Sequence, residues 1–236
     1  MIPLWNDLAS RAGLTLSDEQ HTKLNRYLDL LLEANTRMNL TRITDRAAAE
    51  VQHVGDALTL LPFLPGGAHR LGDVGTGGGV PGMPLAIARP DAQVVLIEST
   101  KKKAAFLSEA ARALGLENVT VVDTRAEDAG QSPALRETFD VATARAVATL
   151  DWLAEWCLPL VKPKTGKVLA MKGARASEEL PAAAKAIKLL NGAEPIVHPV
   201  DLPGSEHRVI VEIPKRGKTD PRYPRNATVA KGKALS

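Results

Sequence analysis

Residues 73–82 read Asp-Val-Gly-Thr-Gly-Gly-Gly-Val-Pro-Gly and begin within a short run, 70–74, that has the pattern of a strand. Glycine is needed where backbone must turn sharply or meet a ligand with no Cβ in the way. After the first strand of an open α/β sheet, such a loop borders the crevice where ligands bind. Glu98 lies 19 residues beyond Gly79, at the end of a second apolar run, and a carboxylate there can accept both hydroxyls of a ribose. The chemistry on offer is the capture of an adenosine-bearing small molecule against bare backbone.

Two readings of the loop stand side by side. Asp73, Gly75, Gly77 and Gly79 fit the acid-x-Gly-x-Gly-x-Gly loop of enzymes that use S-adenosylmethionine. Gly77, Gly79 and Gly82 fit the Gly-x-Gly-x-x-Gly of NAD-type dinucleotide-dependent oxidoreductases. Pro81 and Pro84 favour the first. A dinucleotide delivers its pyrophosphate to the amides of a helix N-terminus, and two prolines remove two of those amides. Further along, Thr124-Arg125-Ala126-Glu127 follows a third strand, where a loop would border an adenine. Thr143-Ala144-Arg145-Ala146 stands where enzymes that methylate an exocyclic amine carry Asn/Asp-Pro-Pro-aromatic, which argues against amine methylation. Arg145 puts a guanidinium in the crevice, able to pair with a cofactor carboxylate or an RNA phosphate.

Other chemistries find little support. Cys157, the one cysteine, sits in an apolar run and reads as core packing. The histidines at 21, 53, 69, 198 and 207 show no metal-ligand spacing, so no metal is expected. The start of the chain has no signal-peptide pattern and no run approaches a membrane span, so a soluble cytoplasmic protein is expected. With 3% aromatic residues, a surface built on base stacking is not expected. Net charge is +3, yet residues 214–236 alone carry +6, from seven Lys/Arg against Asp220, which leaves 3 − 6 = −3 for the rest. A basic tail on a nearly neutral body suits a polyanion. Lys215, Arg216, Lys218, Arg222, Tyr223 and Arg225 are therefore the expected RNA contacts.

These residues need elements to position them. The first 65 or so residues read as helices. Ser17-Asp18-Glu19-Gln20 fits a capping box, and Leu24, Leu28, Leu31 and Leu32 with Tyr27 beside them form an apolar stripe. A second helix is expected from about 45 to 61, ended by Pro62, and Pro-Gly-Gly at 65–67 reads as a hinge. Strands are then expected at 70–74, 93–98, 119–123, 139–145 and 167–172, alternating with helices to 88 and at 101–114, 150–158 and 176–191. Runs near 194–200 and 208–213 could form a hairpin. Such alternation specifies an α/β, doubly wound, Rossmann-like sheet, mostly parallel, covered on both faces. The expected organisation is a helical extension over 1–66, a cofactor-binding domain over 67–214 and a basic tail over 215–236.

With these residues in place, the chain resembles the bacterial small-subunit (16S) rRNA guanine-N7 methyltransferase family, RsmG (GidB). The marks are Asn39-Leu40-Thr41, His53 with Asp56, residues 73–84, Glu98-Ser99 with Lys101 to Lys103, Arg125-Ala126-Glu127, Arg145-Ala146, Met171-Lys172-Gly173 and Tyr223-Pro224-Arg225. The resemblance implies a class I methyltransferase fold with S-adenosyl-L-methionine as cofactor. It places cofactor contacts at Gly75, Val80, Ala126, Glu127 and Arg145, to which the reading of the sheet adds Gly77 and Glu98. The implied partner is 16S rRNA or the small ribosomal subunit, and the implied reaction is methylation of N7 of one guanine, position 527, with no general base. The chain departs from the family's usual residues at Val80, Ala57 and Ala144. Two other classes stand beside this one: the dinucleotide-dependent oxidoreductase, and a non-catalytic RNA-binding protein on the same scaffold.

Overall fold

A computed structural model describes residues 2–205 and 207–235. The chain opens with α1 (Pro3–Ser10) and α2 (Asp18–Met38). The capping box starts α2 as expected: the Ser17 hydroxyl accepts from the Gln20 amide and the Gln20 side chain accepts from the Ser17 amide. The expected second helix runs unbroken from Arg46 to Leu58, but its middle is widened: α3 (Arg46–Ala49) passes through a π-helical turn (Glu50–Gly55) into α4 (Asp56–Leu58). A 3-10 turn at Leu61–Phe63 comes next. A widened turn keeps the apolar face of a helix, so hydrophobic period alone does not reveal it.

The α/β part comprises β1 (His69–Val74), α5 (Gly82–Ala88), β2 (Ala92–Glu98), α6 (Lys101–Ala113), β3 (Val119–Asp123), α7 (Ala126–Gln131), β4 (Val141–Arg145) and α8 (Leu150–Cys157). It continues with β5 (Lys167–Lys172), α9 (Ala176–Leu189), β6 (Ile196–Pro199), β7 (Val209–Pro214) and a last short helix, α10 (Ala227–Ala230). Seven strands form one sheet in the order β3-β2-β1-β4-β5-β7-β6. The first five are parallel, and β6 and β7 add the expected antiparallel hairpin at one edge.

Each face of the sheet buries its own apolar cluster. On one face Trp5, Leu24, Tyr27, Leu28 and Leu31 of the N-terminal helices join Met83 and Leu107 of α5 and α6. On the other, Phe139 packs with Leu153 and Cys157 of α8 and Ile187 of α9. The N-terminal helices thus share a core with the sheet. The register of β7 also fixes direction. Val209 pairs with Lys172 at the C-terminal end of β5, and Pro214 pairs with Lys167 at its start. The chain beyond Pro214 therefore leaves at the sheet edge opposite the C-terminal ends of the parallel strands.

Candidate functional site

The glycine loop leaves β1 at the C-terminal edge of the sheet. Gly75, Gly77 and Gly79 all have φ in the left-handed region, at +66°, +59° and +100°. A Cβ on Gly75 would lie 2.9 Å from both methyls of Val147. At Gly77 the nearest atom to such a Cβ is the Gly75 carbonyl oxygen at 4.0 Å, so this face of the loop is open. Behind the loop Asp73 is fully buried and braces it. Its Oδ2 accepts from the Thr76 hydroxyl at 2.6 Å and the Gly82 amide at 2.8 Å, and its Oδ1 from the Thr143 hydroxyl at 3.2 Å. Burial raises its pKa to about 6, against the pull of those donors.

The start of α5 has no amide to spare. The Gly82 N–H goes to Asp73, Met83 donates to the Gly79 carbonyl, Leu85 donates to the Pro81 carbonyl, and Pro84 has no N–H. A pyrophosphate would find no donors there, which removes the physical basis of the dinucleotide reading. Glu98 behaves differently. It is 6% exposed, its Oε2 accepts from the Gly77 amide at 2.9 Å and its Oε1 from the Thr100 amide at 2.8 Å. Each oxygen keeps a further lone pair, so the carboxylate is oriented with acceptor capacity left over. Ala126 and Glu127, both half-buried, open α7 just past the end of β3.

Beside the loop lies a cavity of about 1020 Å³. Gly75, Gly77, Val80 and Arg145 line it, whereas Glu98, Ala126 and Glu127 lie outside its lining. The N-terminal segment around Asn39 to Thr44, with Gln52 and His53 of the π-helical turn, supplies a facing part of its wall, and Lys103 and Arg208 line it as well. Tyr27 ties that segment to the loop: its buried hydroxyl donates to the Gly78 carbonyl at 2.9 Å. Burial pushes this phenol's pKa up, so it stays a donor.

Arg145 does not reach free into the crevice. Its Nη1 donates to the Gln52 carbonyl at 2.6 Å and to Asp56 Oδ2 at 3.0 Å, and its Nη2 faces His53 Nδ1 at 3.2 Å. A guanidinium only donates, so Nδ1 accepts and the ring proton is on Nε2, facing the Thr41 hydroxyl at 2.9 Å. Burial and the Arg145 charge lower the His53 pKa to about 4, which keeps the ring neutral at pH 7. Asp56, fully buried, also takes Arg208 Nε at 2.9 Å and Nη2 at 2.5 Å. One carboxylate thus joins the N-terminal helices, β4 and the residue before β7.

The basic tail departs from the sequence expectation. Lys215 is 2% exposed; its ammonium donates to the Leu158 carbonyl and the Thr219 hydroxyl, and burial lowers its pKa to about 8. It is an internal anchor and presents nothing to a phosphate. Arg225 is held by Glu155, at 2.8 and 2.7 Å, and the Glu155 side chain is 1% exposed. Arg136 and Gln131 donate to carbonyls of residues 219–224, and Pro224 covers Gly130 of α7. Tyr223 packs half-buried against the second core. Arg216 and Lys218 are exposed, but Arg216 follows Lys215 at the edge opposite the cavity; Arg222 is exposed and pairs with Asp220. Charge counting groups these residues together; the chain path separates them. Sequence reasoning in turn passes over Arg208, whose partner Asp56 is 152 residues away with no local signal.

The family model described as rRNA small subunit methyltransferase G matches residues 20–207. The chain belongs to this family. A ribosomal RNA small subunit methyltransferase G from Leuconostoc citreum is 41% identical over 228 residues, covering 95% of each chain. One from a Roseiflexus species is 45% identical over 213 residues, covering 90% of this chain and 91% of the relative. Among solved structures, the Methanococcus jannaschii fibrillarin pre-rRNA processing protein superposes with TM-score 0.52 at 18% identity, over 64% of this chain and 68% of that one. A SAM-dependent O-methyltransferase from Thermotoga maritima gives TM-score 0.50 at 15% identity, over 80% and 72%. These two establish a class I methyltransferase fold, and the family membership makes the chain an S-adenosylmethionine-dependent rRNA methyltransferase. Of the family departures, Ala57 and Ala144 are fully buried in apolar surroundings, and Val80 is part of the cavity wall. Among the described residues, no helix is long and apolar enough to cross a membrane, and no group of three or more His, Cys, Asp or Glu side chains could hold a metal.

Proposed function

We propose that the chain transfers a methyl group from S-adenosylmethionine to N7 of a guanine in 16S rRNA, at the position corresponding to 527. The observation that carries the cofactor half is Glu98, oriented by the Gly77 amide while every amide at the start of α5 is already taken. That arrangement suits a ligand with a ribose and no pyrophosphate. When bound, the cofactor supplies an activated methyl on a sulfonium. Glu98 would hold the ribose hydroxyls, the open backbone of Gly75 and Gly77 would admit the methionine portion, and Ala126 with Glu127 would border the adenine.

N7 of guanine carries an in-plane lone pair and no proton at neutral pH, so no base has to act. The work left to the protein is alignment, and positioning of this kind can supply about 7–11 kcal/mol of barrier reduction. Arg145, pinned by Asp56 and His53, contributes a fixed positive charge at the junction of loop and cavity. The test is incubation with radiolabelled S-adenosylmethionine and small-subunit rRNA, then mapping of the modified nucleotide. A label on a sugar hydroxyl or an exocyclic amine, or none, overturns the assignment.

A further inference from the structure

The cavity beside the glycine loop gathers cations. Among the described residues, Arg42, Lys103, Arg145 and Arg208 line it and no Asp or Glu does. Asp56, which balances Arg145 and Arg208, is fully buried beneath them and its two oxygens already take both guanidinium groups. Arg42 is exposed and Lys103 half-buried, and among the described residues neither has a carboxylate partner within salt-bridge distance. The rest of the described wall is uncharged and includes the amides of Asn35 and Gln52, the side chains of Leu31, Leu40 and Val80, and the backbone of the glycine loop. Such cations beside an uncharged wall with hydrogen-bonding amides suit a nucleotide, its phosphates at the cations and its base against the wall.

We propose that this cavity receives a single nucleotide drawn out of the RNA strand, its flanking phosphates held by Arg42 and Lys103. This rests on the function proposed above and locates the RNA contacts at the C-terminal edge of the sheet, away from the tail. An enzyme that acts on a base must take it out of its stack, and a recess with room for a nucleotide, sharing the glycine loop with the cofactor side, meets that need. A base against this wall would also lie close to Gly75 and Gly77, hence to the methyl donor.

The experiment measures the affinity of the full chain for a small-subunit rRNA fragment against salt concentration, with cofactor affinity and thermal unfolding measured on the same samples. Each phosphate contact on single-stranded RNA contributes about 0.7 to the slope of log K against log salt. Arg42→Gln and Lys103→Gln should each flatten the slope by about 0.7 and together by about 1.4, with cofactor affinity and unfolding temperature unchanged. Arg42→Lys and Lys103→Arg should keep the slope, and Lys185→Gln, on the exposed face of α9, should leave it alone. Should the double variant retain the full slope, or Arg216→Gln with Lys218→Gln lower it instead, the nucleotide does not enter here. Loss of cofactor affinity in Lys103→Gln would also overturn the proposal, because that cation would then serve the cofactor. If the unaltered chain neither binds S-adenosylmethionine nor methylates rRNA, it is the function itself that fails.

Discussion

The hydroxyl of Tyr27 and the carbonyl of Gly78 meet at 2.9 Å across 51 residues of chain, fully out of contact with water. Through this one bond a helix that precedes the sheet sets the height of the glycine loop. Tyr27→Phe keeps the packing but leaves the Gly78 carbonyl buried without a donor, at a cost of about 1–3 kcal/mol. Urea unfolding should register that loss, and calorimetry should show weaker cofactor binding. A loop held wholly by its own backbone would show neither.

Glu98→Ala should weaken S-adenosylmethionine binding roughly 10- to 150-fold, the range for losing about 1.5–3 kcal/mol of charge-assisted hydrogen bonding. Gly75→Val should be at least as damaging, since a branched residue would be forced to φ +66° with its Cβ 2.9 Å from Val147. Calorimetric titration decides both. Unchanged affinity in Glu98→Ala would leave its bond to Gly77 as a purely structural one.

His53 makes stability depend on acidity. Its folded pKa, about 4, lies below the ordinary 6.5, so the unfolded chain takes up its proton first as pH falls. The associated stability is fully present above about pH 6.5 and is lost on acidification towards pH 4, by about 1.4 kcal/mol per pH unit. Asp73 acts with the opposite sign: its pKa is raised from 3.8 to about 6, so its contribution is present below 3.8 and lost as pH rises through 6. His53→Gln should therefore flatten the acid limb of a denaturation-against-pH curve, and Asp73→Asn should steepen it.

Methyl transfer itself should be nearly indifferent to pH. The one histidine lining the cavity is neutral from about pH 5 upward, and N7 needs no deprotonation. Single-turnover rates with saturating cofactor and RNA should stay flat between about pH 6 and 9. A tenfold rise per pH unit through neutrality would point to a protonated acceptor and end the N7 assignment.

The tail belongs to the folded body. Arg225→Ala strands the Glu155 carboxylate, 1% exposed, and should cost about 3–5 kcal/mol, visible as a lower denaturation midpoint. Removal of residues from Lys215 onward should go further and weaken cofactor binding, because Pro224 covers Gly130 at the far end of the helix that Ala126 begins. Retained cofactor affinity after such a truncation would show α7 holding its place unaided.

Legibility in the sequence divides along one physical line. Features encoded within a few residues were legible: the capping box at Ser17, the left-handed glycines of the loop, the strands with their edge hairpin. The stripe of Leu24 and Leu31 announced a buried face, though not that Tyr27 within it would reach a backbone oxygen of the glycine loop. The destiny of Lys215 was hidden because a net charge records how many cations a segment has and nothing of where the chain carries them. Arg208 and Asp56 find each other only once the sheet is built. Family resemblance singled out Asp56 with His53; the structure adds that Asp56 takes two arginines at once.

The widened turn at Glu50–Gly55 has a consequence for angle as well as for length. Each residue of an α-helix advances about 100° around the axis. Were the same residues wound as ordinary α-helix, with none lost, everything after the turn would swing by about that amount, and Asp56 would face away from Arg145 and Arg208. Gln52 and His53, within the turn itself, would be re-aimed by part of that rotation. The widened turn works as a compass setting: it takes up an extra residue, so that the N-terminal helices keep their apolar face on the sheet while the acidic side chain beyond it points at two cations.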